Sequence, residues 1–362
     1  MASDAVTLTI PAPVGSDETE RTVRLSSPHK PVWPDGGDGE PVTKLDLANY
    51  LVAVAEPFLA ANGDRPVALQ RVRGGVDGEM FYSKNPPKGT PAWVQTTMCT
   101  YPSGRSHPQI VLSEIATAVW AAQMNTVTFH PWPVLADDND HVDELRIDLD
   151  PQPGRAFSDI VEAARGLRDL LAELGLVAWV KTSGSRGIHV YSRIERTHEF
   201  LDVRHAVIGI ARELERRLPD LVTTAWWKEQ RGDRIFIDYN QACRDRTIAG
   251  AYSPRVVSGA RVSMPVTWDE LPEVDASRYT VRTVPAIVAE RGDAWAEMSA
   301  PQNIGHIGEA YALWEADLER GLGELNFPPD HPKMPGEPPR VQPSKKNAAN
   351  WEADGVTPRS EK

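Results

Sequence analysis

The sequence predicts an α+β fold organised around a mostly antiparallel sheet. Three observations lead there. Phe157, Ile160, Val161, Ala164, Leu167, Leu171 and Leu174 recur at helical spacing, and Gly175 stands where the helix would stop. Residues 145–149 alternate apolar and charged, the period of a half-buried strand. Residues 177–181 and 188–194 are both strand-like, with only TSGSRG between them. A link that short joins antiparallel neighbours, because parallel strands need a crossover of roughly a dozen residues or more.

The elements follow in chain order. Residues 1–20 read as an N-terminal extension, 21–323 as the folded body and 324–362 as a tail. Residues 35–40, DGGDGE, are a loop. Residues 43–60 carry helical apolar spacing with Thr43 as N-cap. Further helices are expected over 112–122, 157–174 and 200–218, and strands over 145–149, 177–181, 188–194 and 235–239. The tail is rich in proline and poor in aliphatics, so it lacks the apolar surface to order itself and reads as flexible. Phe327 and Trp351 are its candidate anchors.

Composition excludes several classes. The chain has 362 residues and only two cysteines, Cys99 and Cys243, which rules out a disulfide scaffold and a cysteine-rich zinc site. No stretch approaches about 18 consecutive apolar residues, and the start lacks a basic and then apolar leader. The expected setting is therefore the cytoplasm, with no membrane partner. Lys and Arg total 39 against 51 Asp and Glu, a net charge of −12. That total argues against nucleic acid, which usually leaves a basic footprint. Two segments run the other way: 66–131 carries +2 and 228–262 carries +3.

Chemistry concentrates in five places. In a strand over 145–149, Arg146, Asp148 and Asp150 share one face. Two carboxylates so placed repel, which raises a pKa or demands a cation with oxygen ligands; the alternative is a solvated strand face. Asp238 ends the strand-like IFID and adds a third carboxylate, unless it only caps a turn. Three such groups are the minimum cage for one or two divalent ions. Residues 183–189, SGSRGIH, offer glycines, hydroxyls and Arg186 or His189 to phosphate oxygens; the alternative is a tight hairpin turn. His130 precedes Asp148 by eighteen positions and reads as a ligand or as a satisfied structural residue. Arg244, Arg246 and Thr247, followed by Tyr252 and Arg255, suit triphosphate or a DNA backbone, or form a solvated loop.

The order of these motifs resembles one family. HPW (130–132), DLDP (148–151), TSGSRGIHVY (182–191), FIDY (236–239), RDRT (244–247) and AYSPR (251–255) are similar to the polymerase domain of bacterial ligase D, in the archaeo-eukaryotic primase superfamily. KPVWP (30–34), TKLD (43–46) and GDRP (63–66) extend the likeness over about residues 20–300. No ligase or nuclease module is visible, so the chain resembles a stand-alone member, such as the gap-filling Prim-PolC primase-polymerases. The resemblance implies a primase-type core with an RRM-like sheet and an N-terminal α/β module.

It also implies roles. Asp148, Asp150 and Asp238 would hold Mn²⁺ or Mg²⁺ in a two-metal site, with His130 as the active-site histidine. Ser183 and His189 would contact the triphosphate, with Lys181, Arg244, Arg246 and Thr247 in the nucleotide-binding set. Phe81 and Tyr82 sit where the family has an aromatic pair that stacks on the template. The family often carries a lysine that grips the 5′-phosphate in the stretch where this chain has Gln70, so Arg71, Lys84 or Lys88 must substitute, or the grip is weaker. The implied activity is metal-dependent filling of short gaps in DNA, with ribonucleotides favoured. The implied partners are gapped or primer-template DNA, nucleoside triphosphates, a DNA ligase and the Ku end-binding protein, for a monomer at the nucleoid. A de novo primase, a non-catalytic DNA-end binding module and a two-metal nuclease are the rival readings.

Overall fold

The computed structural model describes residues 4–102, 104–328 and 331. The chain opens with a hairpin of β1 (Ala5–Pro11) and β2 (Glu20–Ser26), whose Ile10, Val23 and Leu25 are buried. The expected boundary at residue 20 thus falls where β2 begins and would part β1 from its partner. Short strands β3 (Pro31–Trp33) and β4 (Val42–Thr43) flank the DGGDGE loop. Asp35 Oδ1 accepts from the amides of Gly37 and Gly39 there, and both glycines have positive φ.

The single helix expected over 43–60 is two, α1 (Lys44–Ala53) and α2 (Ala55–Asn62). Thr43 does cap the first, in a reciprocal capping box with Asp46. The break at Val54 has a cause in Pro57, which cannot donate to the carbonyl of Ala53 and whose ring crowds it. Next come β5 (Pro66–Arg73), β6 (Glu79–Ser83), β7 (Thr96–Thr100), β8 (Ser106–Val111), α3 (Ile115–Gln123) and β9 (Thr126–Pro131). Strands β6, β5, β8 and β7 form a sheet in that order, with β9 on β5, all antiparallel.

The second sheet carries the site. Its elements are β10 (His141–Asp150), α4 (Phe157–Glu173), β11 (Trp179–Thr182), β12 (Ile188–Glu199), α5 (Phe200–Arg217), β13 (Val222–Thr223), α6 (Lys228–Arg231), β14 (Ile235–Asp238), β15 (Pro265–Val266), α7 (Val284–Arg291), β16 (Ile304–Gly305) and α8 (Gly308–Glu319). The strand order is β13-β14-β10-β12-β11-β15, with β16 on β12; only β13–β14 and β12–β16 pair in parallel. The prediction of a mostly antiparallel α+β fold holds.

Helices α4 and α5 cover one face of this sheet, where Leu145, Ile147 and Leu149 are fully buried. Helix α4 ends as its sequence predicts. Gly175, at φ +73°, lets its own amide reach Ala172 O (3.1 Å) and that of Leu176 reach Leu171 O (2.8 Å). The opposite face of β10 packs toward the first sheet. There Arg146 is buried and donates to the carbonyls of Pro131 (2.6 Å) and Trp132 (3.0 Å).

Beyond α8 the described part of the expected tail lies on α5. Arg204 binds Glu324 and donates to Leu325 O (3.0 Å), and its guanidinium stacks 3.9 Å from the Phe327 ring. Phe327 is thus anchored; Trp351 lies outside the described residues. No helix among the described residues is long and apolar enough to cross a membrane.

Candidate active site

Four polar side chains form a row across the second sheet. Asp148 on β10 is the register partner of Asp238 on β14 and of His189 on β12, and His189 is the partner of Lys181 on β11. Residues directly opposed on neighbouring strands share a face, with Cβ atoms about 4.5–5.5 Å apart. Asp150, two positions beyond Asp148, projects from the same face at the exposed strand end. His189 Nε2 stands 3.5 Å from Asp148 Oδ1.

The carboxylates are in conflict. Burial pushes Asp148 up to about 8, and the Asp238 and Asp150 charges push the same way. Burial also raises Asp238, against hydrogen bonds from Gln241 Nε2 (2.8 Å) and the Asn240 amide (3.0 Å). Asp238 therefore caps the 3₁₀ turn Tyr239–Ala242 while facing Asp148.

The TSGSRG connection forms one wall. Ser183 Oγ accepts from the amides of Ser185 (3.1 Å) and Gly187 (3.0 Å), so its own O–H proton is left for a ligand. A Cβ on Gly187 would come within 2.7 Å of Leu149 O, and one on Gly184 (φ +70°) within 2.6 Å of Arg255 Cγ. These two positions need glycine for the loop to lie against the catalytic strand. Arg186 is exposed.

Two arginines flank the carboxylates: Arg255, from the cluster expected to bind phosphate, and Arg231, which the sequence did not single out. Arg255 is mostly buried, donates to Ser183 O (2.8 Å), and leaves its Nε without a partner among the described residues. Its charge is felt by Asp148, His130, His189 and Lys181. Arg231 stacks 3.6 Å from the Phe236 ring and lies close enough to Asp150 and Asp238 that both favour its charge. AYSPR did contain a signal for Arg255; nothing in the pattern around Arg231 separates it from a solvated loop.

The first sheet supplies the other wall. His130 is buried and its pKa is pushed down to about 3, by burial first and Arg255 next, so the imidazole is neutral. Its Nε2 stands 3.3 Å from Gln70 Oε1, the Thr247 backbone bonds to the ring, and the Tyr82 ring meets it edge-on at 5.3 Å. Gln70 thus supports the histidine.

Several expected groupings come apart. Phe81 and Tyr82 do not present one stacking surface, because neighbours along a strand point to opposite faces. Tyr82 turns to His130, whereas Phe81 lies under Arg71 (5.2 Å) and Arg73 (5.8 Å) on the reverse face. Arg71 also donates to Met124 O (2.9 Å). Lys84 is neutralised by Asp245 at 2.6 Å, and Lys88 is exposed, with no ion pair among the described residues. Arg244 pairs with Asp140 (2.7 Å) and stacks on Phe200, away from the row. Thr247 lies beside His130, and the half-buried Arg246 donates its amide to Cys243 O. Lys181 is fully buried and stands behind His189 rather than at the cleft.

Among the described residues no three His, Cys, Asp or Glu side chains already close around one point. The donor chemistry of the row nevertheless fits a hard divalent cation. Three carboxylates share one face, two are pushed toward neutrality, and oxygen-ligated charge relieves that conflict.

The family model for the LigD primase-polymerase domain matches residues 43–295. The chain belongs to that family. LigD primase-polymerase domains are nucleotidyltransferases of the DNA-repair polymerase type, and the primase-type core expected from the motifs is the fold found. The multifunctional non-homologous end joining protein LigD of Pseudomonas aeruginosa is 32% identical over 280 residues, 76% of this chain and 32% of that one. The LigD of Mycobacterium tuberculosis, a multifunctional non-homologous end joining DNA repair protein, is 30% identical over 290 residues, 78% of this chain and 38% of that one. The solved polymerase domain of M. tuberculosis ligase D in complex with DNA superimposes with a TM-score of 0.71 at 28% identity, covering 77% of this chain and 98% of that chain. This LigD-family chain thus spans about a third of the length of the curated relatives it matches, and nearly all of the solved polymerase domain.

Proposed function

We propose that this chain is a template-directed DNA-repair polymerase that fills short gaps, extending a primer 3′-hydroxyl with nucleoside triphosphates and favouring ribonucleotides. The observation that carries it is the row of Asp238, Asp148 and His189 beside the Ser183 loop. Asp148, Asp150 and Asp238 would hold Mn²⁺ or Mg²⁺. Such ions lower the pKa of an attacking hydroxyl and neutralise charge on the triphosphate. Ser183 Oγ–H and His189 Nε2 lie along the cleft to donate to phosphate oxygens, and Arg255 adds a positive charge with an unused N–H. The chemistry is in-line displacement at the α-phosphate with release of pyrophosphate. The protein's part is positioning and charge, without a covalent protein intermediate.

Residues 21–323 together with the β1–β2 hairpin form the proposed catalytic unit, acting as a monomer on gapped DNA at the nucleoid. End joining with Ku and a DNA ligase fits the relatives' names, and gap filling after base excision fits the same chemistry. The decisive assay is extension across gaps of several lengths, with NTP against dNTP and Mn²⁺ against Mg²⁺. Expected are ribonucleotide-favoured products filling short gaps; no extension of any gapped duplex with either ion would overturn the assignment. Products from single-stranded template without primer would favour a primase instead.

The split of Phe81 from Tyr82 gives a second test. Tyr82→Ala is expected to weaken binding to a gapped duplex by about 1–3 kcal/mol, the worth of one stacked base. Phe81→Ala, altering the opposite face, is expected to change it far less. Equal losses by fluorescence anisotropy would count against Tyr82 as the stacking residue.

A further inference from the structure

Asp238 takes its direction from the turn that follows it. Its Oδ1 accepts from the Asn240 amide (3.0 Å) and its Oδ2 from Gln241 Nε2 (2.8 Å), so the side chain points where the turn Tyr239–Ala242 holds it. Asn240 is buried and is itself gripped from two sides. Its Oδ1 accepts from Arg204 Nε (3.4 Å) and Nη2 (3.3 Å), and its Nδ2 donates to Asn326 O (3.0 Å). The side-chain amide fits only this way round, because a guanidinium only donates and a carbonyl only accepts.

Arg204 joins the turn to the segment beyond α8. Buried on α5, it binds Glu324 through Nη1 and donates from Nη2 to the carbonyls of Leu325 (3.0 Å) and Asn326 (3.3 Å). Its guanidinium lies 3.9 Å from the Phe327 ring and 5.5 Å from that of Tyr239, where the turn begins. Asn240 aside, every hydrogen-bond acceptor of Arg204 among the described residues lies in 324–326. A buried guanidinium stripped of those acceptors has to find others, so loosening the segment draws Arg204 off Asn240 and frees the turn. The segment lies past residues 43–295, the part that the family model matches. We propose that residues 324–327 are a positioning element of the active site: through Arg204 and Asn240 they fix the turn that aims Asp238 at the cleft. This rests on the reading of Asp148, Asp150 and Asp238 as a metal site.

Two measurements on the full chain test it. Hydrogen exchange of the metal-free protein reads the turn directly. Phe327→Ala is expected to speed exchange at the amides of Asn240 and Cys243, which bond Asp238 Oδ1 and Asn240 O, and to leave the β10 amides unchanged. Unaltered turn amides would overturn the proposal. Mn²⁺ binding, followed by electron paramagnetic resonance without nucleotide or DNA and far below the melting temperature, reads the consequence. Phe327→Ala is expected to raise the Kd at least about tenfold, the smaller of the losses found when a residue behind a metal ligand is removed. Phe327→Tyr, which keeps a ring on Arg204, should bind as wild type does. In the Asn240→Ala background, Phe327→Ala should add no further loss, because the segment acts through Asn240; multiplying losses would overturn the proposal. A segment that only steadied the fold would lower the melting temperature and leave the Kd in place. That result would overturn the proposal while the three-carboxylate site stood. A wild-type protein that binds no Mn²⁺ would sink the metal site and the proposal with it.

Discussion

Asp148→Asn is expected to abolish primer extension while raising the melting temperature of the metal-free protein. The two effects have one origin. Asp148 sits against Asp238 across the strand pair and two residues from Asp150, in a partly buried position, and its carboxyl is pushed up to about 8. An ordinary aspartate titrates near about 3.9. A folded pKa above the unfolded one means the folded state holds its proton longer, so stability falls as pH rises from about 4 to about 8. The full cost is present above pH 8, and asparagine, which has nearly the same shape and no charge, is free of it. The variant should therefore melt higher than wild type, most clearly near pH 8.5, with the gap closing toward pH 4.

Activity moves the other way, because Asn supplies no anionic oxygen where charge must be neutralised. Losing several kcal/mol of such stabilisation costs at least about a thousandfold in rate. Adding Mn²⁺ should raise the melting temperature of wild type and leave the variant nearly unmoved. Full extension by Asp148→Asn, or identical pH slopes for the two proteins, would refute the account.

How much of this was legible in the sequence depends on the range of the interaction. Asp148 and Asp150 were legible because strand alternation is local and puts every second residue on one face. The stop at Gly175 and the cap at Thr43 are local too. The register that sets Asp148 between Asp238 and His189 is not, since it depends on which strands become neighbours. Lys181 lies on the same face as His189, but its burial is made by Ala249 and Ser263, far along the chain. Reading it as a nucleotide ligand placed a buried support at the cleft. The aromatic pair, expected from the family resemblance, is divided by strand alternation: Tyr82 faces His130 and Phe81 faces Arg71. The net charge of −12 misled because it averages over the chain, whereas Arg255 and Arg231 sit in one of its two basic segments, beside the carboxylates.

The largest stability loss is expected from Glu144→Gln, at a fully buried carboxylate. Glu144 is buried among three arginines: Arg146 donates to it from Nε (2.9 Å) and Nη2 (2.6 Å), Arg65 from Nη2 (2.9 Å), and Arg193 lies at 3.2 Å. Asp143, bound by Arg65 (2.6 Å) and by Arg193, is the other carboxylate. The cluster thus holds three positive charges against two negative ones, and removing Glu144 leaves three against one. Breaking a buried pair in this way costs about 3–5 kcal/mol, because the stranded cations are already out of water. Burial alone would raise Glu144, yet Arg65, Arg146 and Arg193 hold it at about 2. A depressed folded pKa contributes stability that is present above the unfolded value, near about 4.3, and is lost as pH falls through about 2. Urea unfolding should therefore show Glu144→Gln well below wild type at pH 7, with the difference shrinking between about pH 4.3 and 2. A loss under about 1 kcal/mol at pH 7, the scale of an exposed pair, or a difference that does not shrink in acid, would show that the arginines do not depend on Glu144. The same cluster joins the two sheets, since Arg146 also holds the carbonyls of Pro131 and Trp132 beside His130. A variant stable enough to assay should thus also bind nucleotide less tightly, through a wall of the cleft that Glu144 never touches.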